Sequence, residues 1–282
     1  MNLRRLAFIL LVVAVLGAVD ALWIEPASLI TRHERLEVPH WGAELRVAVV
    51  SDLHAGAPHV GIDKIRRIVE RMDAEQPDLV LLLGDYGIGG PNGSHGVIGG
   101  TFLTPEETTE VLKDLRAPLG VFAVLGNHDW WFDGKRMARA LNQAGIAVLD
   151  NQARRIDREG GAFWLGGIAD YWTGGPNIRR TLEQMDGSEP VLLFTHNPDV
   201  FPDVPARVSL MIAGHTHGGQ VRLPWIGTPI LPSDRSYSSG LFIEQGRHLF
   251  VTSGVGTSIL PVRFGVTPEI VILTLLRSAS GQ

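Results

Sequence analysis

The residues of this sequence that could do chemistry follow short apolar runs that lie far apart along the chain. They are two carboxylates, one amide and five imidazoles: Asp52, His54, Asp85, Asn127, His128, His196, His215 and His217. In an open α/β sheet the carboxyl ends of the strands line one crevice, so these side chains are predicted to meet at one rim. Carboxylate, amide and imidazole donors together favour Mn²⁺, Fe²⁺ or Zn²⁺ over Ca²⁺.

A single cation would leave several of these groups unused. Two divalent cations about 3.5–4 Å apart, sharing one carboxylate, would use the whole set, and Asp85 is the natural bridge. An isolated Asp or His at a strand end is more often a cap or a turn residue. A cluster of such groups at one rim is electrostatically unfavourable unless cations are bound. The predicted cofactor is therefore a pair of divalent metal ions: Mn, Fe, Zn or a mixed pair.

The apolar runs that must position these residues are predicted to be buried strands: Leu45–Val50, Asp78–Leu83, Gly120–Leu125, Ala162–Ile168, Val191–Phe194 and Leu210–Ala213. Between them, apolar residues over 62–72 recur at helical spacing, and Thr104 with Glu107 forms a capping box that opens another helix. This alternation predicts an α/β layered fold. Two further runs, Leu249–Thr252 and Glu269–Leu275, are predicted to be closing strands of a second sheet.

The N-terminal segment predicts an export signal or an anchor. Arg4 and Arg5 precede an apolar run from Leu6 to Val19, and apolar residues resume after Asp20 and continue to Ile24. Counted to Ile24, the run approaches the ~20 residues that a membrane-spanning helix needs, whereas counted to Val19 it has the length of a signal-peptide core. We expect a retained membrane anchor with the catalytic domain outside the cytoplasm, since positive residues stay inside. A cleaved signal and a buried core helix are the alternatives.

Composition limits the remaining choices. The 282 residues are 45% hydrophobic and carry no cysteine, which excludes disulfides and thiolate metal sites. The formal net charge of -5 argues against a nucleic-acid partner, because it offers no basic track for a phosphate backbone. We expect a signal anchor over 1–24, a linker over 25–44 and one catalytic domain over 45–282.

Five motifs in order resemble the signature of the calcineurin-like metallophosphoesterases: Asp52-Leu53-His54, Gly84-Asp85, Gly126-Asn127-His128-Asp129, His196 and Gly214-His215-Thr216-His217. The resemblance covers essentially all of the chain after Leu45. It implies a four-layer α/β fold, in which two mixed β-sheets are flanked by helices. It also implies two metal sites that share Asp85, one completed by Asp52, His54 and His217 and the other by Asn127, His196 and His215.

The resemblance implies a metal-dependent phosphoric ester hydrolase. A hydroxide held between the metals would attack phosphorus, and His128 would protonate the leaving group as general acid. Asp129 is a second catalytic candidate that would either orient His128 or only shape the turn. Arg263 would contact either phosphate or a surface carboxylate.

The N-terminal anchor and the run from Gly214 to Gln220 are similar to the bacterial, membrane-tethered branch of the family. That branch is associated with phosphodiesters and nucleotide-sugar lipid pyrophosphates, so a small-molecule or lipid-linked substrate such as UDP-2,3-diacylglucosamine is implied. An extracytoplasmic active site would fit a cytoplasmic lipid precursor badly. The alternatives are a catalytically silent metal-binding module, which would have lost ligands, and a membrane-anchored structural protein, which would bind no metal.

Two local features bear on access to the site. Aromatic residues follow the motifs at Trp130, Trp131 and Trp225, where they would serve either as membrane contacts or as ordinary packing. The glycine-rich stretch Gly87–Gly100 is predicted to insert a loop beside Asp85.

Overall fold

The computed structural model describes residues 2–89 and 97–278. Within them, strands β1 to β12 span, in order, Ile30–Val38, Leu45–Val50, Leu79–Leu82, Val121–Ala123, Ala147–Val148, Gln152–Ile156, Phe163–Ile168, Val191–Thr195, Leu210–Ala213, Gly240–Glu244, Arg247–Val251 and Glu269–Arg277. Helices α1 to α6 span Leu3–Val19, Glu25–Ala27, Ile62–Ala74, Pro105–Leu112, Asn127–Gln143 and Ile178–Leu182.

These strands form two six-stranded mixed sheets. The first has the order β1-β12-β2-β3-β4-β5 and the second the order β10-β11-β9-β8-β7-β6. Strands β2 to β5 run parallel, as do β7, β8, β9 and β11 in the second sheet. Each sheet therefore has a parallel centre whose carboxyl ends face the same way, which is the arrangement that the rim prediction requires.

The apolar side chains divide into three layers of core, which confirms the four-layer fold. Helices α3, α4 and α5 pack on the outer face of the first sheet. The inner faces of the two sheets pack on each other, and α6 covers the outer face of the second sheet. Strand β3 shows the principle: Val80 and Leu82 face the helices, whereas Leu79 and Leu81 face the second sheet. With both faces buried, a strand reads as a continuous apolar run.

The six strands predicted from apolar runs are all present, β2 and β9 with the predicted limits. The capping box at the start of α4 is also present, since Thr104 and Glu107 exchange hydrogen bonds between side chain and backbone. Burial on two faces, rather than alternation, made these strands recognisable in the sequence.

Two elements differ from the sequence prediction. The stretch 25–44, predicted as a linker, contains β1, which pairs in parallel with β12 along its whole length. Strand β1 is an edge strand in which only Leu36 and Val38 are buried. Its many charged residues give it no apolar run by which a strand could be predicted. Strand β12, predicted for the second sheet, lies between β1 and β2 in the first. An apolar strand buried on both faces fits either sheet equally well.

The N-terminal segment forms one long helix. Helix α1 continues through a π-helical turn, Asp20–Ile24, into α2, giving 25 residues from Leu3 to Ala27. It is long and apolar enough to cross a membrane, and its most apolar stretch is not buried against the rest of the protein. The end of the helix is docked on the catalytic domain, where the Ala21 carbonyl accepts from the Arg263 N–H and the Pro26 carbonyl accepts from Lys64 Nζ.

Candidate dinuclear metal centre

Left-handed backbone at the strand ends turns the predicted ligands toward one another. The φ angles of Asp52, His54, Asp85, His215 and His217 are 54°, 44°, 55°, 68° and 51°. A non-glycine residue in this region costs on the order of 1–3 kcal/mol and persists where the surrounding structure fixes it, typically at functional sites. Five such residues meeting in one place make the rim the candidate functional region of the molecule.

Glycines in the motifs allow the loops to pack this closely. A Cβ atom on Gly126 would overlap the Asp85 carboxylate, and one on Gly214 would overlap the Ser51 side chain. Gly84, at φ 94°, faces the backbone of Gly126. The Gly-Asp, Gly-Asn-His-Asp and Gly-His-Thr-His motifs thus begin with a residue that has no side chain, because the next loop occupies that space.

All eight residues predicted for the rim are brought together and are buried. In the first group, His54 Nε2 lies 3.1 Å from His217 Nε2, and His217 Nε2 lies 3.4 Å from Asp52 Oδ1. In the second group, His196 Nε2 lies 3.1 Å from both Asn127 Oδ1 and His215 Nδ1.

One oxygen of Asp85 lies between the two groups. Asp85 Oδ2 is 3.5 Å from His54 Nε2 and 3.3 Å from His196 Nε2. The other oxygen, Oδ1, accepts a hydrogen bond of 2.9 Å from the backbone N–H of His128, which fixes the orientation of the carboxylate. Asp85 therefore lies between the two groups, which is the position that the predicted bridging role requires.

The donor atoms have the spacing of metal ligands. A metal–nitrogen distance of ~2.1 Å places neighbouring ligand atoms about 3.0 Å apart at a right angle and about 3.4 Å apart at the tetrahedral angle. The separations within the two groups run from 3.1 to 3.5 Å. Among the described residues, the buried Asp52 Oδ1 has no hydrogen-bond partner. His196 Nδ1 lies 2.8 Å from the Leu83 carbonyl, so Nε2 is left to face the centre. The residues fit a pair of cations.

Burial and mutual charge set the protonation of the site. Burial lowers the pKa values of His54 and His215, each to about 3, and raises that of Asp52 to about 6. Burial alone would raise the pKa of Asp85, but His196 and His128 hold it well below its ordinary value. Burial opposes a charge on His196 too, yet the Asp85 carboxylate raises its pKa to about 10. Neutral His54 and His215 thus surround an ion pair between protonated His196 and the ionised Asp85 carboxylate.

His128 and Asp129 open helix α5 beside the centre. His128 packs edge-on against His54, with ring centroids 4.7 Å apart, and its Nε2 is 3.4 Å from Ser258 Oγ. The Asp129 carboxylate accepts from the backbone N–H groups of Asp85, Tyr86 and Gly126, each at 2.9 Å. These contacts favour the interpretation in which Asp129 shapes the turn that carries Asp85.

Arg263 fits neither interpretation made from the sequence, since it is fully buried and contacts backbone carbonyls. Its guanidinium donates to the carbonyls of Gly256, Ser253 and Val266 at 2.7–3.2 Å, and Nη2 lies 3.4 Å from His217 Nδ1. Arg263 therefore holds the loop that supports His217. No sequence pattern predicts this role, because an arginine that donates only to backbone carbonyls has no partner motif.

Two partly exposed tryptophans lie beside the candidate ligands, one next to His128 and the other next to His215. Trp131 packs on His128 with centroids 4.8 Å apart, Trp172 packs on His215 at 4.4 Å, and the two indoles lie nearly parallel at 6.3 Å. Trp172 was missed in the sequence, although its position four residues after β7 is where rim residues occur. Trp130 instead packs on the helix-side core, and Trp225 is fully exposed on a turn between Leu223 and Gly227.

The comparisons with known proteins agree with this geometry. The profile of the family described as calcineurin-like phosphoesterase matches residues 45–219. The chain belongs to the calcineurin-like phosphoesterase family. Phosphodiesterase YaeI of Escherichia coli (strain K12) is 32% identical over 261 residues, covering 90% of this chain and 89% of its own. Metallophosphoesterase YkuE of Bacillus subtilis (strain 168) is 28% identical, covering 90% and 88%.

A vertebrate relative shares the domain as well. A transmembrane protein with a metallophosphoesterase domain from Danio rerio is 27% identical, covering 94% of this chain and 60% of its own. Members of this family normally use a dinuclear divalent metal site. The chain is accordingly a metal-dependent phosphoester hydrolase.

Metal content distinguishes a shared ligand from an ordinary one. The protein is expected to bind two divalent ions per chain, and Asp85→Asn to weaken both, because one oxygen contacts both groups. His217→Ala should lose about one ion and keep the other. Elemental analysis after dialysis measures this, with His33→Ala as the control, since His33 is exposed and pairs with Glu75. Two ions retained by Asp85→Asn would contradict the bridge.

Proposed function

We propose that this protein is a membrane-anchored phosphodiesterase that acts at a dinuclear centre of Mn, Fe, Zn or a mixed pair. The observation that carries the proposal is the Asp85 oxygen placed between two sets of ligands. One set comprises Asp52, His54 and His217, and the other Asn127, His196 and His215. When bound, the two cations would lower the pKa of a shared water and neutralise charge on the phosphoryl oxygens.

His128 is proposed as the general acid. It lies within the cluster that also contains His54 and Asp85, and its ring is held between His54 and Trp131. A proton delivered from its ring to the leaving oxygen would neutralise the charge that develops as the P–O bond breaks. Asp129 supports this chemistry indirectly, by fixing through backbone N–H groups the turn from which Asp85 projects.

A diester substrate is supported by the surroundings of the site. A phosphomonoester carries a second negative charge that a cationic side chain at the rim would stabilise. Arg263, whose guanidinium lies 3.4 Å from His217 Nδ1, donates instead to three backbone carbonyls. Trp131 and Trp172 instead offer an aromatic wall, which suits the second ester group of a diester. The name of the relative YaeI, a phosphodiesterase, supports the same choice.

Anchoring is supported by the apolar helix Leu3–Ala27 and by the relative named as a transmembrane protein. Arg4 and Arg5 at its start favour a catalytic domain outside the cytoplasm. A lipid-linked phosphoester such as UDP-2,3-diacylglucosamine is the finer proposal, and it requires the catalytic domain to share a compartment with that lipid. A catalytically silent module is disfavoured because each expected ligand position carries a residue that can bind a metal, and the general-acid position carries His128.

The diester preference is tested with bis(p-nitrophenyl) phosphate and p-nitrophenyl phosphate. In Mn²⁺, kcat/KM is expected to be at least about tenfold higher for the diester, a difference of roughly 1.4 kcal/mol in transition-state stabilisation. Trp172→Ala should reduce the diester value more than the monoester value, because only the diester has a second group to contact the wall. A preference for the monoester would overturn the proposal.

The role of His128 is tested with a series of aryl and alkyl leaving groups. His128→Ala is expected to lower kcat by ~10²–10⁴ for poor leaving groups and much less for p-nitrophenolate, which departs without a proton. Both metals should be retained, which elemental analysis checks, and His33→Ala serves as the control. An equal loss across the series would assign His128 a different role.

A further inference from the structure

Exposed apolar side chains surround the point where the N-terminal helix meets the catalytic domain. Ile98, Ile259 and Leu260 are exposed by 62%, 66% and 51%, although each is a residue that usually packs inside. On the helix itself, Trp23 and Ile24 are exposed by 59% and 60%. We refer to Ile98, Ile259, Leu260 and helix residues 22–24 as the apolar collar.

Direct contacts make the collar one continuous surface. The Ile98 N–H donates to the Ile259 carbonyl at 2.9 Å, which joins the two loops. The Arg263 N–H donates to the Ala21 carbonyl at 3.0 Å, and Gly265 donates to the Glu25 carboxylate at 2.8 Å. The loop that contains Ile259 and Leu260 is thus fastened to the end of the helix.

A second loop is fastened to the next residue of the helix. His59 Nε2 lies 2.8 Å from the Leu22 carbonyl, and the neighbouring Pro58 lies against Gly99, next to Ile98. The contacts therefore tie both loops to adjacent residues at the end of the helix. The collar has a fixed position relative to the helix axis.

The backbone holds one collar residue outward at an energetic cost. Ile259 has a φ of 62°, a left-handed conformation that is a clear outlier for a β-branched residue. The turn is clamped by Gln220, whose side chain contacts both backbone groups of Ser258 and the carbonyl of Leu260. In water, an exposed isoleucine in a strained turn contributes no stabilisation. The same side chain would be removed from water if it entered a bilayer.

Helix length sets the depth of the collar. At ~1.5 Å per residue, the 19 residues from Leu6 to Ile24 span about 28 Å, close to the thickness of a bilayer's hydrocarbon core. Residues 22–24 then lie at the edge of the core, and Trp23 lies at the level where tryptophan is enriched in membrane proteins. The loops attached to Ala21 and Leu22 reach the same level.

We propose that the apolar collar inserts into the interface of the bilayer that the N-terminal helix enters, so that the active site opens at the lipid head groups. The same segment forms both surfaces, since Ser258, which contacts His128, directly precedes Ile259. Phosphoester groups of membrane lipids would therefore be the substrate class within reach. The inference rests on the proposed anchoring and phosphodiesterase activity.

The absence of cysteine from the sequence allows a direct test of depth. In the full-length chain reconstituted in phosphatidylcholine–phosphatidylglycerol vesicles, single cysteines at Ile98→Cys and Ile259→Cys are labelled with the fluorophore NBD. Glu159→Cys is the matched exposed control. Its turn packs on Glu44, beyond the far end of β1, and nine strand residues at ~3.3 Å place that end about 30 Å from the helix exit.

The labels at 98 and 259 are expected to be quenched by 5-doxyl lipid at least about twofold more than the label at 159, and to be protected from aqueous iodide. Iodide quenching equal to that of the control would overturn the proposal. Protection from iodide without doxyl quenching would also overturn it, and would indicate that a second protein copy covers the collar.

Activity separates this inference from the proposed function. The double variant Ile98→Ser/Leu260→Ser is expected to keep turnover of soluble bis(p-nitrophenyl) phosphate within about twofold. Its turnover of phosphatidyl-p-nitrophenol in vesicles should fall at least about fivefold. Equal activity of variant and wild type on the vesicle substrate would contradict a role of the collar in access. If the wild-type protein does not hydrolyse bis(p-nitrophenyl) phosphate, the proposed function is refuted. The quenching data would still decide the position of the collar.

Discussion

The structure depends on the placement of one carboxylate oxygen, Asp85 Oδ2, between two groups of imidazole and carboxylate donors. This oxygen lies 3.5 Å from His54 Nε2 in one group and 3.3 Å from His196 Nε2 in the other. It therefore contacts both groups. Buried charges and lone pairs at this spacing repel one another unless cations are present. The cluster of ligands therefore lowers the stability of the fold, and metal binding offsets this loss of stability.

Much of the surrounding sequence serves this placement. The left-handed residues at the strand ends turn the chain toward the centre, and the motif glycines remove the side chains that would block it. Asp129 fixes the turn of Asp85 through three N–H groups, and Arg263 fixes the loop beside His217. Parallel strands in both sheets bring the loops to the same edge.

The sequence predicted the central strands and the ligand set because both leave strong local patterns. Strands such as β2 are continuous apolar runs, and the ligands follow them in motifs with fixed spacing. Edge strand β1 was missed because one exposed face makes it resemble a linker, and β12 was placed in the wrong sheet because its pattern does not encode its neighbours. The contacts of Arg263 and Trp172 are tertiary and have no local signature.

Anomalous scattering from crystals grown with Mn²⁺ would show whether Asp85 is shared by two metal ions. The bridging role of Asp85 predicts two anomalous peaks about 3.5–4 Å apart, one on each side of Oδ2. The first should be bounded by Asp52, His54 and His217, and the second by Asn127, His196 and His215. A single peak, or two peaks of which one does not contact Asp85, would contradict it.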